Sequence, residues 1–454
     1  MIKIAKFGGS SLADDNQFKK VAEIVRADES RRYVVPSAPG KRNSEDTKVT
    51  DLLYRCYDSV NNPEEFEKVF EIIRERYELI IRGLGLNMNL DEEFERIKQS
   101  LLHKAGRDYA ASRGEYLNGR ILSEYLGYEF IDAAEVIFFA DDGSFDSERT
   151  NEVLSERLSV CKRAVIPGFY GAMPNDTIKT FSRGGSDITG AIVARAANAD
   201  LYENWTDVSG FLVTDPRIVD NPKAIDVITY RELRELSYMG ATVLHEDSIF
   251  PVKIAGIPIN IRNTNAPDDK GTMIVSAVRE DRVPAVISKQ ADLKQIHNAE
   301  GNVVTGIAGK KGFAVLTLEK DMMNEELGFG RRVLEVLENH KLVFEHLPSG
   351  IDTMSIVLNA RSLAGKEDAL IKELFAVTTA DSINIESDIA LVAVVGRRMR
   401  NARGTAARVF AALAENGINI RMIDQGSSEL NIIVGVDCKD FEDSIRTIYK
   451  EFVE

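Results

Sequence analysis

Cysteine, histidine and tryptophan are scarce in this 454-residue chain, which contains three, five and one of them. Cys56, Cys161 and Cys438 lie far apart and form no CxxC motif or Cys/His cluster. We therefore expect neither a disulfide framework nor a structural zinc site, and a reducing compartment fits. No apolar run approaches the ~20 residues that cross a bilayer, and no charged-then-apolar leader opens the chain. The expectation is a cytoplasmic protein without membrane contact.

Basic residues are outnumbered, with 57 Lys and Arg against 72 Asp and Glu, a net charge of −15. This balance disfavours nucleic acid as a general partner and leaves small molecules or proteins. The hydrophobic fraction of 44% and the charged fraction of 28% are typical of globular domains. A chain of this length favours two or three domains.

Two common nucleotide-binding motifs are missing, because the chain has neither Gly-x4-Gly-Lys-Ser/Thr nor Gly-x-Gly-x-x-Gly. Instead, Gly8 and Gly9 separate an apolar strand at residues 2–7 from a helical pattern that begins near Asp14. Paired glycines let a backbone approach a ligand, a helix start attracts anions, and Lys6 adds a positive charge. The stretch predicts a phosphate cradle or an ordinary strand–turn–helix joint, and on these residues alone both interpretations stand.

Strands alternate with helices as far as about residue 285, which predicts a parallel sheet covered on both faces. Ligands bind such sheets at the carboxyl ends of the strands, and polar loops fall there at residues 8–11, 36–41, 182–187 and 206–217. The detailed pattern predicts one helix at 91–110, another at 116–126 with residues 112–115 just before it, a strand at 136–139 and a helix at 243–255.

The chain changes character after residue 285. Residues 313–375 and 389–452 each show a β-α-β-β-α pattern, a repeat of roughly 70–75 residues. Neither copy contains an obvious catalytic cluster. The repeat therefore predicts ligand sensing or dimerisation.

Seven motifs together resemble the aspartate kinase family, in that family's order and spacing. They are KFGGSS at 6–11, VPSAPG at 35–40, RGE at 113–115, FSRGGSD at 181–187, TDVSG at 206–210, TDPR at 214–217 and GATVLH at 240–245. INIRMIDQGSSE at 418–429 resembles the second ACT domain of that family. The resemblance covers essentially the whole chain.

The resemblance implies an α/β fold, an amino-acid-kinase-type parallel-sheet sandwich followed by two α+β ferredoxin-like ACT domains. It places the catalytic domain at 1–286, the first ACT domain at 311–386 and the second at 289–310 plus 387–454, with a strand at 303–308. The implied reaction is ATP + L-aspartate → 4-phospho-L-aspartate + ADP, the first step of lysine, threonine and methionine biosynthesis. Mg²⁺ would arrive with ATP, held mostly by phosphates and water, with no dedicated protein metal site.

Lys6 and Asp187 are the implied catalytic residues. Phosphoryl transfer depends on positioning and charge neutralisation, which Lys6 would supply to the transferring group. Asp187 would orient Lys6 and the substrate. It is not expected to act as a base, because the attacking carboxylate is already ionised at neutral pH.

The implied substrate-contacting residues are Ser37, Thr50, Glu115, Arg183 and Ser186. Glu115 would take the ammonium group of aspartate, and Arg183 can pair with a carboxylate through two hydrogen bonds. A helix N-cap with a flanking charge is the alternative interpretation of residues 183–187, and both can hold together.

The implied ATP-binding residues are Lys6, Gly8, Gly9, Ser10, Thr206, Asp207 and Arg217. The alternative for the Asp215–Arg217 stretch is a simple turn. Two residues depart from the family pattern near the nucleotide, since Thr242 replaces a usual lysine and Leu212 a frequent tyrosine. We interpret His245 as a structural residue.

The implied regulation is feedback inhibition by lysine, threonine or both, in a homodimer or higher homo-oligomer formed through the ACT domains. The effector-side positions are Met323, Gly328, Phe329, Gly330, Ser349 and Asp352. Phe344 stands where some lysine-sensitive relatives have Asp, which leaves the effector open.

Two alternative functions remain at this point. A sister amino-acid kinase for acetylglutamate, glutamate or carbamate shares the fold, although paired ACT domains favour aspartate. A catalytically dead amino-acid sensor is favoured only by Thr242 and opposed by the intact Lys6, Arg183 and Asp187. A fused kinase–dehydrogenase is not expected, because nothing follows the ACT region in this sequence.

Overall fold

The computed structural model describes residues 1–182, 184–240, 249–276 and 303–454. Within them, contacts define two compact units. The first contains residues 1–182, 184–211, 224–230 and 249–276, and the second contains 212–223, 231–240 and 303–454. Two segments of the predicted catalytic domain thus belong to the second unit, and the domain boundaries themselves stay a prediction.

The first unit is built on a mainly parallel eight-stranded sheet with strand order β3-β4-β2-β1-β7-β9-β10-β8. Only its β9–β10 pair is antiparallel, and β5 and β6 form a separate two-stranded sheet. The strands are β1 (Lys3–Phe7), β2 (Arg31–Pro36), β3 (Glu129–Phe130), β4 (Ala164–Val165), β5 (Tyr170–Ala172), β6 (Ile178–Thr180), β7 (Leu201–Thr206), β8 (Val227–Thr229), β9 (Ile259–Asn263) and β10 (Thr272–Val275).

Helices connect these strands, as the alternating pattern predicted. They are α1 (Asp15–Arg26), α2 (Val49–Asp58), α3 (Pro63–Gly83), α4 (Asp91–Leu102), α5 (Arg107–Leu126), α6 (Ala133–Val136), α7 (Ser147–Val160), α8 (Gly185–Ala196), α9 (Tyr230–Tyr238) and α10 (Phe250–Ala255). Most of α9 lies in the second unit. Among the described residues, no helix has the length and apolar character needed to cross a membrane.

The register between β1 and β7, at the centre of the sheet, determines which residues share each face. Lys6 is in register with Asn204, and Phe7 with Trp205. Successive strand residues point to opposite faces, so Lys6 and Asn204 share one face while Phe7 and Trp205 share the other. On that second face the two rings stack with centroids 5.9 Å apart.

Several sequence expectations were wrong in detail. The helix predicted at 91–110 is broken, because Gly106 has a φ of +104° and α5 begins only at Arg107. Residues 112–115 consequently lie inside α5 and do not precede the helix. The strand predicted at 136–139 is replaced by the end of α6 and isolated bridges at Phe138 and Phe139. The first part of the helix predicted at 243–255 lies outside the described residues, and α10 covers its end.

The second unit contains both copies of the predicted β-α-β-β-α repeat. The first copy is β11 (Gly306–Glu319), α11 (Phe329–Asn339), β12 (Phe344–His346), β13 (Thr353–Asn359), α12 (Ala360–Leu363) and α13 (Glu367–Thr378). The second copy is β14 (Ser382–Val395), α14 (Thr405–Glu415), β15 (Ile420–Asp424), β16 (Asn431–Asp437) and α15 (Phe441–Val453).

The two copies share one antiparallel sheet with strand order β12-β13-β11-β14-β16-β15. β11 and β14 are each 14 residues long and pair along their whole length. The start of β11 pairs with the end of β14, from Gly306 opposite Val395 onward. The strand predicted at 303–308 is confirmed only in part, because β11 begins at Gly306: residues 306–308 pair with the second copy, and residues 303–305 precede the strand.

Candidate active site

Two glycine-containing loops meet at the carboxyl ends of β1 and β2. A Cβ on Gly9 would lie 2.9 Å from the Ala38 carbonyl oxygen, and one on Gly40 would lie 2.6 Å from the carbonyl carbon of Gly9. The Gly40 N–H donates to the Gly9 carbonyl at 2.8 Å. The close approach of the two backbones thus requires glycine at positions 9 and 40. This confirms a structural joint after β1 and does not exclude a phosphate cradle.

A short helix that the sequence pattern did not predict follows Gly8. Residues Gly9–Leu12 form a 3₁₀ helix, and α1 begins at Asp15, as the pattern near Asp14 predicted, with the Asp14 side chain accepting from the Gln17 N–H. The first N–H groups of the 3₁₀ helix have no carbonyl partner within it. The N–H groups next to the glycine pair therefore belong to the 3₁₀ helix and not to the start of α1.

The second glycine turn leads into α8. Gly184 has a φ of +57°, a conformation that favours glycine, and α8 begins at Gly185. Phe169 packs against this start, since a Cβ on Gly185 would lie 2.4 Å from its ring. Phe169 itself has a φ of +83°, which is rare for a bulky residue, and its N–H donates to Thr189 Oγ1 at 3.0 Å. Tight packing therefore fixes the entry to α8.

A cavity of about 210 Å³ lies where these loops converge. It is lined by Lys6, Ser37, Thr50, Glu115, Phe169, Gly184, Gly185, Ser186 and Asp187. Six predicted site residues from five separate stretches of the chain thus meet in one place. The volume is below the ~300–1,000 Å³ of pockets for drug-sized ligands, and it suits one small amino acid.

Lys6 and Asp187 form an ion pair at the wall of this cavity. Lys6 Nζ lies 2.5 Å from Asp187 Oδ1, with side-chain exposures of 9% and 20%. Lys6 comes from the end of β1 and Asp187 from the first turn of α8. The structure therefore brings together the two residues predicted to be catalytic.

Glu115 is buried in the middle of α5, and its Oε2 has no hydrogen-bond partner. Burial raises the pKa of this carboxyl to about 8, although the Ala38 N–H and the charges of Arg113 and Lys6 oppose the shift. A buried, unsatisfied carboxyl group that lines a cavity is costly unless a ligand pairs with it. An ammonium group is such a ligand.

The residues predicted to bind the nucleotide are divided between the two units. Thr206 ends β7 and donates its hydroxyl to Asp207 at 3.1 Å. Arg217 belongs to the second unit, where it pairs with Asp215 at 2.6 Å and is 88% exposed. Leu212 is also in the second unit and is 39% exposed. Arg183, Thr242 and His245 lie outside the described residues.

Three polar side chains that support the site were missed from the sequence. Arg76 of α3 donates to the Ala13 carbonyl at 3.1 Å and to the Gly40 carbonyl at 2.6 Å, which ties two loops together. Asn118 of α5 donates to the Ser37 carbonyl at 2.7 Å. Asn204 of β7 contacts Lys6 and Asp187. Only Arg76 had a sequence signal, as a charge within the apolar stripe of a helix.

The predicted effector-side residues separate into buried and accessible groups. Met323 and Phe329 are 6% and 3% exposed and belong to the hydrophobic core of the first repeat. Gly328 has a φ of +79° just before α11. Asp352 accepts a hydrogen bond from the Met322 N–H at 2.9 Å, and Ser349 forms an isolated bridge with Met354. An effector here would meet the backbone near Met323 and Phe329 rather than their side chains.

In the part of the chain that the structure describes, no group of three or more His, Cys, Asp or Glu side chains is arranged to hold a metal ion.

Comparisons with known proteins agree with this geometry. Residues 1–263 match the amino acid kinase family and residues 392–452 match an ACT domain. Aspartokinase 3 of Bacillus subtilis is 40% identical over 99% of this chain and 98% of its own. The crystal structure of Clostridium acetobutylicum aspartate kinase, described as an allosteric enzyme, has 52% identity and a TM-score of 0.89, and the match covers 99% of this chain and 100% of that one. Escherichia coli aspartokinase III was solved with aspartate and ADP and with lysine and aspartate. Its TM-score is 0.71 at 25% identity, and the match covers all of both chains.

The parallel sheet, the cavity at its strand ends and the match to residues 1–263 define a kinase of the amino acid kinase class. The full-length match at 40% identity is more specific. The chain belongs to the aspartokinase family and is an aspartate kinase with a C-terminal ACT region that regulates it.

Proposed function

We propose that the enzyme transfers the γ-phosphoryl group of ATP to the side-chain carboxylate of L-aspartate and forms 4-phospho-L-aspartate and ADP. The observation that carries this proposal is the small cavity where the Lys6–Asp187 pair meets the buried Glu115. One wall offers positive charge for a phosphoryl group, and the other offers a carboxyl group for an ammonium. The product would enter lysine, threonine and methionine biosynthesis at its first step.

Aspartate binds with its ammonium group on Glu115 and with Ser37, Thr50 and Ser186 as hydroxyl partners. These hydroxyl residues all line the cavity. Arg183, which precedes the described Gly184, would pair with a carboxylate. The reacting carboxylate is ionised at neutral pH, so its attack on phosphorus needs no general base.

Lys6 neutralises charge on the phosphoryl group as the bond to the leaving ADP lengthens and the bond to aspartate forms. Asp187 keeps the Lys6 ammonium in place, at 2.5 Å, through the step. The remaining nucleotide contacts come from Gly8, Gly9, Ser10, Thr206, Asp207 and Arg217. ATP is the substrate in its Mg²⁺ complex, and Mg²⁺ held by phosphates and water supplies further charge neutralisation. The loop beside Gly9 fits a phosphate because its first N–H groups have no carbonyl partner within the 3₁₀ helix.

Lysine, threonine or both inhibit the enzyme at the first ACT domain, near Gly328, Gly330, Ser349 and Asp352, with backbone contacts beside Met323 and Phe329. Lysine is supported by the E. coli relative that was solved with lysine and aspartate. The active form is a cytoplasmic homodimer or higher homo-oligomer that pairs through its ACT domains. The catalytic domain spans 1–286, the first ACT domain 311–386, and the second 289–310 plus 387–454.

Aspartyl hydroxamate formation tests the reaction. The purified enzyme is incubated with Mg-ATP, hydroxylamine and L-aspartate, with glutamate and N-acetylglutamate as controls for sister kinases. ATP-dependent hydroxamate from aspartate alone is expected. The proposal fails if aspartate gives no product, or if a control substrate gives more.

A further inference from the structure

Asn204 is a buried polar residue on the central strand β7, 3% exposed, directly opposite Lys6 in the β1–β7 register. Its amide Nδ2 donates to Asp187 Oδ1 at 2.9 Å, and its Oδ1 accepts from Lys6 Nζ at 3.4 Å. One amide therefore touches both members of the ion pair. None of the seven motifs that carry the family resemblance includes this residue.

An amide is chemically suited to this position because it offers a donor to the anion and an acceptor to the cation at once. Asp187 Oδ1 receives both Lys6 and Asn204. The Lys6 ammonium is thereby held between two oxygens, one on Asp187 and one on Asn204. A lysine with Asp187 as its only partner would have more freedom to leave the position that faces the cavity.

A second side chain on the same face of β7 acts in the same direction. Tyr202, two residues before Asn204, donates its hydroxyl to the Asp187 carbonyl at 3.1 Å. Gly190 leaves room for this ring, because a Cβ there would lie 2.5 Å from the Tyr202 hydroxyl oxygen. The strand thus holds both the backbone and the side chain of Asp187.

We propose that Asn204 is a positioning residue for phosphoryl transfer, which fixes Lys6 and Asp187 relative to each other through its amide. The inference rests on the proposed function, since Lys6 is assigned to the transferring phosphoryl group. Asn204 acts through Lys6 and Asp187 and need not touch the substrate.

The test compares Asn204→Ala with Asn260→Ala. Asn260 is a buried asparagine on β9, opposite Glu203 in register and so on the other face of the sheet, and its Oδ1 has no hydrogen-bond partner. Asn204→Ala should lower kcat about 10- to 100-fold, the range expected when a hydrogen bond to a charged group is lost. The KM for aspartate should change less than about threefold, because the loss falls on the transition state. Asn260→Ala should leave kcat within about twofold of wild type.

The Asn204→Asp variant tests the positioning role through the pH dependence of its activity, which a purely structural role of Asn204 would not change. Two carboxylates this close share a proton, and the protonated Asp at 204 can donate to Asp187 and accept from Lys6. Its activity relative to wild type should rise as pH falls from 8.5 to 6, whereas the relative activity of Asn204→Ala should stay flat. The activity of Asn204→Asp relative to wild type, followed over this pH range, tests the positioning role even if Asn204→Ala folds poorly.

Competitive acetylation of lysines, followed by mass spectrometry, gives a measurement independent of turnover. Loss of the Asn204 oxygen removes one of the two oxygens that hold the Lys6 ammonium and gives the amine more freedom to reach the reagent, so Lys6 should react at least about twofold faster in Asn204→Ala than in wild type, relative to exposed Lys439. An inactive wild type would refute the proposed function, while the Lys6 labelling rate would still test the positioning role. Equal labelling rates, or a folded Asn204→Ala with the kcat of wild type, would overturn the inference.

Discussion

The two units use their sheets in opposite ways. In the first unit, charged side chains from the end of a parallel strand, the middle of a helix and the start of another helix converge on a cavity lined by Lys6, Glu115 and Asp187. In the second unit, the predicted effector positions Met323 and Phe329 face the core between the sheet and its helices. The predicted catalytic residues therefore present their side chains to a cavity, whereas two of the predicted effector positions present theirs to a hydrophobic core.

The largest effect expected from this comparison is a loss of kcat on substitution of Lys6. Lys6→Ala removes the charge that we propose faces the phosphoryl group, and kcat should fall on the order of 10³- to 10⁵-fold, as for other cations in phosphoryl transfer. Steady-state kinetics with the coupled ADP assay checks this. Lys19→Ala is the matched control, since Lys19 pairs with Asp15 on α1 and is 42% exposed. A Lys6→Ala variant with near-normal kcat would contradict the assigned role.

Substitution of Phe329 should have the opposite effect, with a large loss of stability and little change in the rate of phosphoryl transfer. Phe329→Ala removes a core ring that is 3% exposed, and it should cost about 3–5 kcal/mol in the free energy of unfolding. Denaturant unfolding monitored by circular dichroism measures the loss. Leu327→Ala, at a side chain that is 95% exposed, should change stability by less than about 0.5 kcal/mol. Equal effects of both variants would show that Phe329 is not a core residue.

The pKa of Glu115 gives the third prediction. Its carboxyl must be ionised to accept the ammonium of aspartate, and its pKa is raised to about 8 by burial. The ionised fraction therefore rises about tenfold per pH unit below 8, so the KM for aspartate should fall as pH rises from 6 to 8 and level off above.

The Glu115→Gln variant shows whether the pH dependence of the KM for aspartate comes from Glu115 or from another titrating group. The variant should bind aspartate weakly, with a KM that lacks the slope between pH 6 and 8, because Gln does not ionise. Isothermal titration at two pH values adds a check, since binding to the wild type below pH 8 should release a proton. A wild-type KM that does not change over this range would exclude Glu115 as the ammonium partner.

The smallest effect should come from the accessible ACT positions. Asp352→Asn keeps the shape of a side chain that accepts from the Met322 N–H, and it removes a negative charge. The concentration of lysine or threonine for half-maximal inhibition should rise roughly 5- to 20-fold, the size of a typical coupling energy, with kcat unchanged. Titration of activity against each amino acid measures this. Flat curves for both amino acids in the wild type would remove the regulatory proposal.

Much of the fold follows from local patterns. The alternation of strands and helices predicted the parallel sheet, and the repeat predicted the two β-α-β-β-α copies, both of which are present. The errors lie where one residue redirects the chain, as at Gly106, whose positive φ separates α4 from α5. The pairing of β11 with β14 along 14 residues was not predictable, because strand partners are set by contacts distant in sequence.

By itself, the sequence determined the family and the two fold types and, through the family resemblance, predicted the residues Lys6, Glu115 and Asp187, because motifs and periodic patterns are local signals. Tertiary structure alone decided which of these residues share a cavity and which side chains are core. It also decided the role of Asn204, whose partners lie 198 and 17 residues away in the chain. Such a role depends on strand register, and register is fixed only when the whole sheet packs.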